Sequence, residues 1–427
     1  MQLPSRIHAP SIKLNMNIGR RPGADVVGLD IQPGFVAAVK ARVNGSIVAE
    51  QAAAMALGPE VVRDGEVMDE EALGDALREL FAQSKMSKRV RVGVANQRTV
   101  LRTLELPPVT DQKELAAAVT FQAQDQVPMP LNNAVLDFHP LGVIDTPAGP
   151  RQRVVLVAAQ RDMVERLLSA VRRAGLTPEG IDLSAFALIR SLYTPDPQQS
   201  ARVLYLNVDG LTNLAIAEGT ICHFTRVVGS GLEGMATELA ERRGIALTDA
   251  RAQLLQADLT IDHTPVTYDV APVSEPAAIA EEAGESVLDA SAAEQADLQS
   301  AEHGSTDAGI EDFIAHASPA AAAPAPEQSA AEVEVLKTLE AGIREISGEV
   351  RNSLDFHRSQ EGGGDVSHVI LSGSAQDIPG FADALQLALG VEVRSQTVGL
   401  LDERVGANVS PHRLAVATGL ATSEVAQ

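Results

Sequence analysis

The apolar positions of the chain switch between two periods, and each switch predicts an element. Over residues 26–56 the run VGLDIQPGFVAAVKARVNGSIVAE alternates and turns at Asn44-Gly45, the pattern of a strand feeding a β-hairpin. DEEALGDALRELFAQSKM (69–86) places Leu73, Leu77 and Leu80 on one helical stripe. RVRVGVANQ and RTVLRTLELPP read as strands, the second stopped by Pro107-Pro108. VTDQKELAAAVTFQAQDQVP reads as a helix that starts on a Thr110 cap and ends before Pro128, with Phe121 and Val127 expected in its core-facing stripe. AVLDFHPLGVI and RQRVVLVAAQ read as a strand pair across Thr-Pro-Ala-Gly-Pro. RDMVERLLSAVRRAGL is an amphipathic helix closed by Gly175.

The order then begins again. RVLYLNVDG is a strand ending in Asp-Gly, LTNLAIAEGTICHFTRVVGSG reads as two strands, and LEGMATELAERRGI follows as a helix. The chain thus predicts an α/β protein with two rounds of strand, hairpin and helix. The first round carries an extra mixed α/β insert over about 95–160. Residues 256–330 are rich in Ala, Glu, Ser and Pro and poor in large apolar side chains; burial cannot offset the entropy of ordering them, so this segment is expected to be disordered. Beyond it come a long amphipathic helix (AAEVEVLKTLEAGIREISGEVRNSLDFHRSQ), a strand entering a Gly turn (VSHVILSGS), a helix near Pro379, and a final core helix, Gly turn and polar tail in RLAVATGLATSEVAQ. The segment interrupts the second round; it does not separate two domains.

Composition narrows the function. The 427 residues suffice for two or more domains with full cores. Aromatics are 3 % with no Trp, and the formal charge is −23, so nucleic acid, which requires neutralising Lys and Arg, is excluded as a partner. The charge is uneven: between Arg251 and Lys337 there are 17 acidic residues and no Lys or Arg, which leaves −6 for the rest. A single cysteine, Cys222, permits no internal disulfide and fits a reducing compartment. Residues 1–24 read as a loose basic arm without the apolar run of a signal peptide, and no stretch approaches about 18 uninterrupted apolar residues. The expectation is a cytoplasmic protein that reaches a membrane only through another protein.

The usual catalytic signatures are missing. There is no G-x-x-x-x-G-K-[ST], G-x-S-x-G or H-E-x-x-H, and the nine His lack metal-ligand spacing. Cys222 reads as a small core residue. Three turns that each follow an apolar strand remain: Asp30 to Gly34, LNVDGLTN (206–213) and LSGSAQDIPG (371–380). In a two-lobed protein such turns can face one cleft and offer backbone N–H groups to phosphates. Each is equally a structural turn.

Order and content together resemble the actin-like ATPase superfamily, and within it the PilM family of type IV pilus assembly proteins. The resemblance covers nearly all of the chain except the arm and the acidic segment. It rests on VGLDIQPGFVAAVKA, on LELPPVTDQKELAAAVTFQAQDQVPMPLNNAVLDFHPLG, on LLSAVRRAGLTPEGIDLSAFALIRSL, on FTRVVGSGLEGM and on EISGEVRNSLDFHRSQ. It implies a two-lobed actin-like (ribonuclease-H-type) fold: a first lobe over 25–200 with a mixed α/β subdomain inserted at about 95–160, and a second lobe over 201–427 interrupted by the acidic loop.

The same resemblance implies a nucleotide cleft formed by Asp30, Gln32 and Gly34, by Asn207, Asp209, Gly210 and Thr212, by Gly229 and Gly231, and by Gly373 and Ser374. Asp30 would hold Mg through ATP. The family's glycines are replaced here by Gln32, and by Ser374 in the third turn; Pro33 removes a donor, and Asp209 brings a carboxylate toward the phosphates. The implied cofactors, ATP and Mg, therefore meet a weak or degenerate site, and Asp30 reads both as a metal carboxylate and as a strand-end Asp. The implied role is a cytoplasmic scaffold binding the tail of a PilN-like membrane protein in a groove beside the insert, lined in part by Phe121, Gln126, Val127 and Pro128. Other platform and motor components and further copies of the chain are implied partners. Two alternatives stay open: an active actin-like ATPase or nucleotide switch, whose reaction would be ATP hydrolysis, and an FtsA-like division protein, which the missing basic C-terminal helix disfavours.

Overall fold

The computed structural model describes residues 25–147, 149–195, 201–260, 329–360, 362–406 and 409–422. The expected basic arm and residues 261–328 of the expected acidic loop lie outside them.

The first hairpin is built as its alternation requires. β1 (Val27–Gln32) pairs antiparallel with β2 (Phe35–Asn44), and β2 with β3 (Ser46–Ala56). Pro33 and Gly34 are the two residues of the first turn. Proline fixes its own φ, and Gly34 takes a left-handed φ of 88°, which glycine adopts without strain. A two-stranded ribbon, β4 (Val62–Arg63) with β5 (Glu66–Val67), leads to α1 (Glu70–Ser84), whose Asp69 cap accepts from Glu71 and Ala72 and whose Leu73, Leu77 and Leu80 are buried. β6 (Arg89–Val94) runs parallel to β1.

A separate three-stranded sheet follows, in the order β7 (Val100–Leu106), β9 (Gly149–Gln160), β8 (Ala134–Thr146), carrying α2 (Gln112–Gln126). The cap of α2 is Asp111, not Thr110: its carboxylate accepts from the amides of Lys113 and Glu114 at 2.8 and 3.0 Å. α3 (Arg161–Arg173) returns to β10 (Thr177–Leu183), which extends the first sheet, and α4 (Ser184–Leu192) follows.

The second half repeats this plan. β11 (Arg202–Val208), β12 (Thr212–Glu218) and β13 (Ile221–Val228) form an antiparallel meander. Two helices come next, α5 (Leu232–Arg243) and α6 (Leu247–Gln256); the second is an element that the sequence pattern did not announce. α7 (Ala330–Ser359) opens on a Ser329–Glu332 capping box. β14 (His368–Ser372), α8 (Phe381–Leu389) and β15 (Val393–Ser395) complete a five-stranded sheet in the order β13-β12-β11-β14-β15.

The chain then crosses back. β16 (Gly399–Leu400) pairs with β3, making the first sheet β10-β6-β1-β2-β3-β16. α9 (Ala415–Leu420) packs between β1 and α4. Gly419 lies inside this helix and is not the expected turn: a Cβ there would stand 1.9 Å from the Ala187 carbonyl oxygen. The last stretch of the second half is therefore part of the first sheet's covering layer, and it fixes β1 from below.

Candidate site where three turns meet

Asp30 is the fourth residue of β1, and both its neighbours in the sheet are buried strands. It is 1 % exposed, and Gln32 beside it is equally buried. The Gln32 side-chain amide donates to Asp30 Oδ1 at 3.1 Å, while Asp30 Oδ2 is buried with no partner. Burial, together with the Asp209 carboxylate, pushes the Asp30 carboxyl up to about 7 against the bond from Gln32.

Asp209 sits in the turn between β11 and β12 and is as deeply buried. Its surroundings differ. Ser374 donates to Oδ1 from its backbone amide at 2.8 Å and from its hydroxyl at 2.5 Å, and the Asn207 amide donates to Oδ2 at 3.2 Å. The Asp209 carbonyl accepts from Leu232, the first amide of α5, at 2.8 Å. Burial raises its pKa, opposed by the Arg413 charge and by the three side-chain bonds.

The turns touch. A Cβ on Gly210 would stand 2.4 Å from the Pro33 carbonyl oxygen, and one on Gly231 would stand 2.6 Å from that of Gly210. Gly373 reaches its place with φ of 96°, its missing Cβ position 2.3 Å from the Val208 carbonyl oxygen. The structure thus brings together Asp30, Gln32, Gly34, Asn207, Asp209, Gly210, Gly231, Gly373 and Ser374. The Thr212 hydroxyl is fully buried without a partner on the strand that leaves the second turn. Gly229 stands apart, lining a different cavity with Gln97, Glu345 and Glu349. The Thr225 hydroxyl on β13 donates to the Leu214 carbonyl at 2.9 Å.

Beside the turns lies a cavity of about 400 Å³, walled by Pro33, Phe35, Leu254 and Leu255 and reached by Gly34, Gly210 and Ser374. Three side chains in it were not legible as site residues. Arg251 grips Glu233 through both guanidinium edges, with Nε to Oε2 at 2.6 Å. Arg413 lies with its guanidinium 4.8 Å from the centre of the Phe35 ring. Behind it His412 and Ser410 both bond Asp377 Oδ1, at 2.7 and 2.6 Å, tying the third turn to the segment that carries Arg413. Nothing local in PHRLAV signals this; the role depends on where the chain returns.

On α2 the expected stripe divides. Val127 is buried at 6 %, but Phe121 is 70 % exposed, so the reading of both as core is corrected. The buried face of the helix is Leu115, Val119 and Ala123. Gln126 and Pro128 are exposed. Cys222 is buried and its thiol is pushed up to about 12 by desolvation, an inert core position. Among the described residues no group of three or more His, Cys, Asp or Glu is placed to hold a metal ion, and no helix is long and apolar enough to cross a membrane.

A family model for the type IV pilus assembly protein PilM matches residues 28–266, more than half of the chain. The chain belongs to the PilM family. It is also similar to a solved PilM-PilN type IV pilus biogenesis complex, at 20 % identity over 94 % of this chain and 98 % of that one, with a TM-score of 0.64. Two further likenesses are the ethanolamine utilization protein EutJ from Carboxydothermus hydrogenoformans (12 % identity, 96 % and 93 % covered, TM-score 0.46) and MreB5 of Spiroplasma citri bound to AMPPNP (10 % identity, 93 % and 95 % covered, TM-score 0.45). The fold of this PilM-family chain is the two-lobed actin-like α/β fold that the repeated strand-hairpin-helix order led us to expect.

Proposed function

We propose that this PilM-family chain is a scaffold of a type IV pilus or related pseudopilus assembly platform. It binds the cytoplasmic tail of a PilN-like inner-membrane protein and is held by that partner at the inner face of the membrane. Family membership supports the pilus role, and the likeness to a PilM-PilN complex supports the partner class. One observation carries the docking site: Phe121, a large apolar side chain 70 % exposed on α2, whose C-terminal end also leaves Gln126 and Pro128 exposed. An aromatic that contributes nothing to the core and stands in water is the kind of anchor that interfaces use. Val127 holds the end of the helix from beneath and does not touch the partner directly.

The site at the turns enters this reading as a degenerate ATP site. A second reading, a nucleotide-switched scaffold, is favoured by the cavity beside the turns and by the unpartnered Asp30 oxygen, where ATP and Mg would be held by Asp30 and the three turns.

The test is a titration of the full chain with a fluorescent peptide of the PilN-like tail, without nucleotide. Saturable binding is expected, weakened roughly tenfold by Phe121→Ser. Absence of saturable binding, or binding indifferent to Phe121, overturns the docking site. An absolute requirement for ATP favours the switch.

A further inference from the structure

We propose that Asp209 is a built-in anion: its carboxylate fills the position among the turns where a phosphate would be held, so the cleft is closed by the chain's own groups and accepts no polyphosphate. The inference deepens the scaffold reading and rests on it.

A phosphate held by turns of this kind needs convergent N–H and O–H groups. The convergent donors here are the Ser374 amide, the Ser374 hydroxyl and the Asn207 amide, and all three are given to the Asp209 carboxylate. The first amide of α5, a fourth donor facing the same turn, is given to the Asp209 carbonyl. The Arg413 charge also faces Asp209. Ser374 and Asp209 are 165 residues apart, so the bond joins two turns and is not a local property of either.

The first turn offers one donor fewer. Pro33 has no N–H, and its carbonyl oxygen is turned onto Gly210 at van der Waals contact. The Gln32 amide is spent on Asp30. Between the first and second turns there is no width for a phosphate, and the groups nearest to that line, Asp30, Asp209 and the Pro33 carbonyl, present oxygen. The arrangement is obtained from within the chain. It makes the closed relation of the turns independent of nucleotide, as a permanent scaffold requires.

The experiment is a thermal-shift and calorimetric titration of the full chain with millimolar inorganic pyrophosphate and with Mg-ATP, on wild type, Asp209→Gly and Asp209→Ala. The wild type is expected to bind neither. Asp209→Gly frees the three donors held by the carboxylate and is expected to gain saturable pyrophosphate binding, at least roughly tenfold tighter than wild type. Asp209→Ala, which keeps a non-glycine backbone in the turn if the glycine variant fails to fold, is expected to gain binding as well by vacating the seat and removing the repelling charge. Saturable pyrophosphate or ATP binding by wild type overturns the proposal. So does a folded Asp209→Gly or Asp209→Ala that gains nothing, because the freed donors then are not an anion seat. The PilN-like tail peptide is titrated into the same samples. Loss of tail binding by wild type strikes the scaffold reading alone, and polyphosphate binding by wild type strikes the built-in anion alone.

Discussion

The molecule contains the same local device twice. In each half a buried strand carries a carboxylate close to the turn into its antiparallel partner: Asp30 within β1, two residues before its end, and Asp209 directly after β11. Both side chains are about 1 % exposed. Asp30 has one donor, Gln32, and one oxygen with no partner, whereas Asp209 has three donors. Burial costs a carboxylate heavily unless hydrogen bonds replace its water. The difference is therefore supplied not by the hairpins, which are alike, but by a third turn far along the chain that reaches one of them only.

The largest expected effect tests that asymmetry directly. A carboxyl that titrates at about 7 in the folded chain and at 3.8 when unfolded holds an extra proton in the folded state between those values. Its contribution to stability is fully present below pH 3.8 and is lost as pH rises through 7, about 4 kcal/mol when complete. Asp209, also raised, slopes the same way, and Arg413 opposes it. Urea unfolding of wild type and Asp30→Asn between pH 4 and 8 isolates the Asp30 component. The variant is expected to lose markedly less stability across that range, and equal slopes would erase the contrast between the two turns.

Next in size is the third turn. Gly373 combines a φ of 96° with a Cβ position 2.3 Å from the Val208 carbonyl oxygen. Gly373→Ala is expected to cost about 3 kcal/mol, from a strained backbone and from overpacking together. It should also weaken the hold of Ser374 on Asp209, so the variant's Asp209 side should come to resemble the Asp30 side in its pH dependence. A loss below about 1 kcal/mol in urea unfolding means that the turn yields, and the geometry of the seat is then softer than the contacts imply.

The two turns also differ in how far they could be read from sequence. Both carboxylates and their hairpins were legible, because alternation and Asn-Gly, Pro-Gly or Asp-Gly pairs are local signals, although Asp30 lies within β1 and not at its end. The donor set of Asp209 was not: Asn207 is two residues away, but Ser374 is 165 residues away and only the pairing of β11 with β14 brings it in. Arg413 was invisible for the same reason, since it comes from a segment that crosses back to the first sheet. The misreading of α2 has another cause. Residues 121 and 127 are six apart, about 240° around a helix, so they do not share a stripe. Val127 does fall on the stripe of Leu115, Val119 and Ala123, and an aromatic was placed there for its apolarity against its phase. The helix cap moved from Thr110 to Asp111 because a carboxylate accepts both amides at once.

The buried member of that helix end gives the third expectation. Val127→Ala removes two methyl groups from a 6 % exposed site packed in the cluster of Leu104, Leu106, Leu115 and Val119, and is expected to cost about 2 kcal/mol in urea unfolding. A cost near zero would mean that the insert's small core collapses around the loss, and the helix end would then be too loose to present a fixed edge to a partner.

The smallest expected effect on stability discriminates most sharply between a core and a contact. Phe121 is 70 % exposed, so Phe121→Ser removes little buried area and is expected to leave stability within about 0.5 kcal/mol of wild type. The same substitution is expected to weaken tail binding roughly tenfold, because an exposed aromatic anchor acts only when a partner covers it. The combination matters more than either number. Val127→Ala should lower stability and affect binding only as far as it loosens the helix, while Phe121→Ser should spare stability and strike binding. If Phe121→Ser instead destabilises the chain by as much as Val127→Ala, the ring packs against the protein in solution and the outer face of α2 is no docking edge. The partner's contact then has to be sought elsewhere on the three-stranded insert.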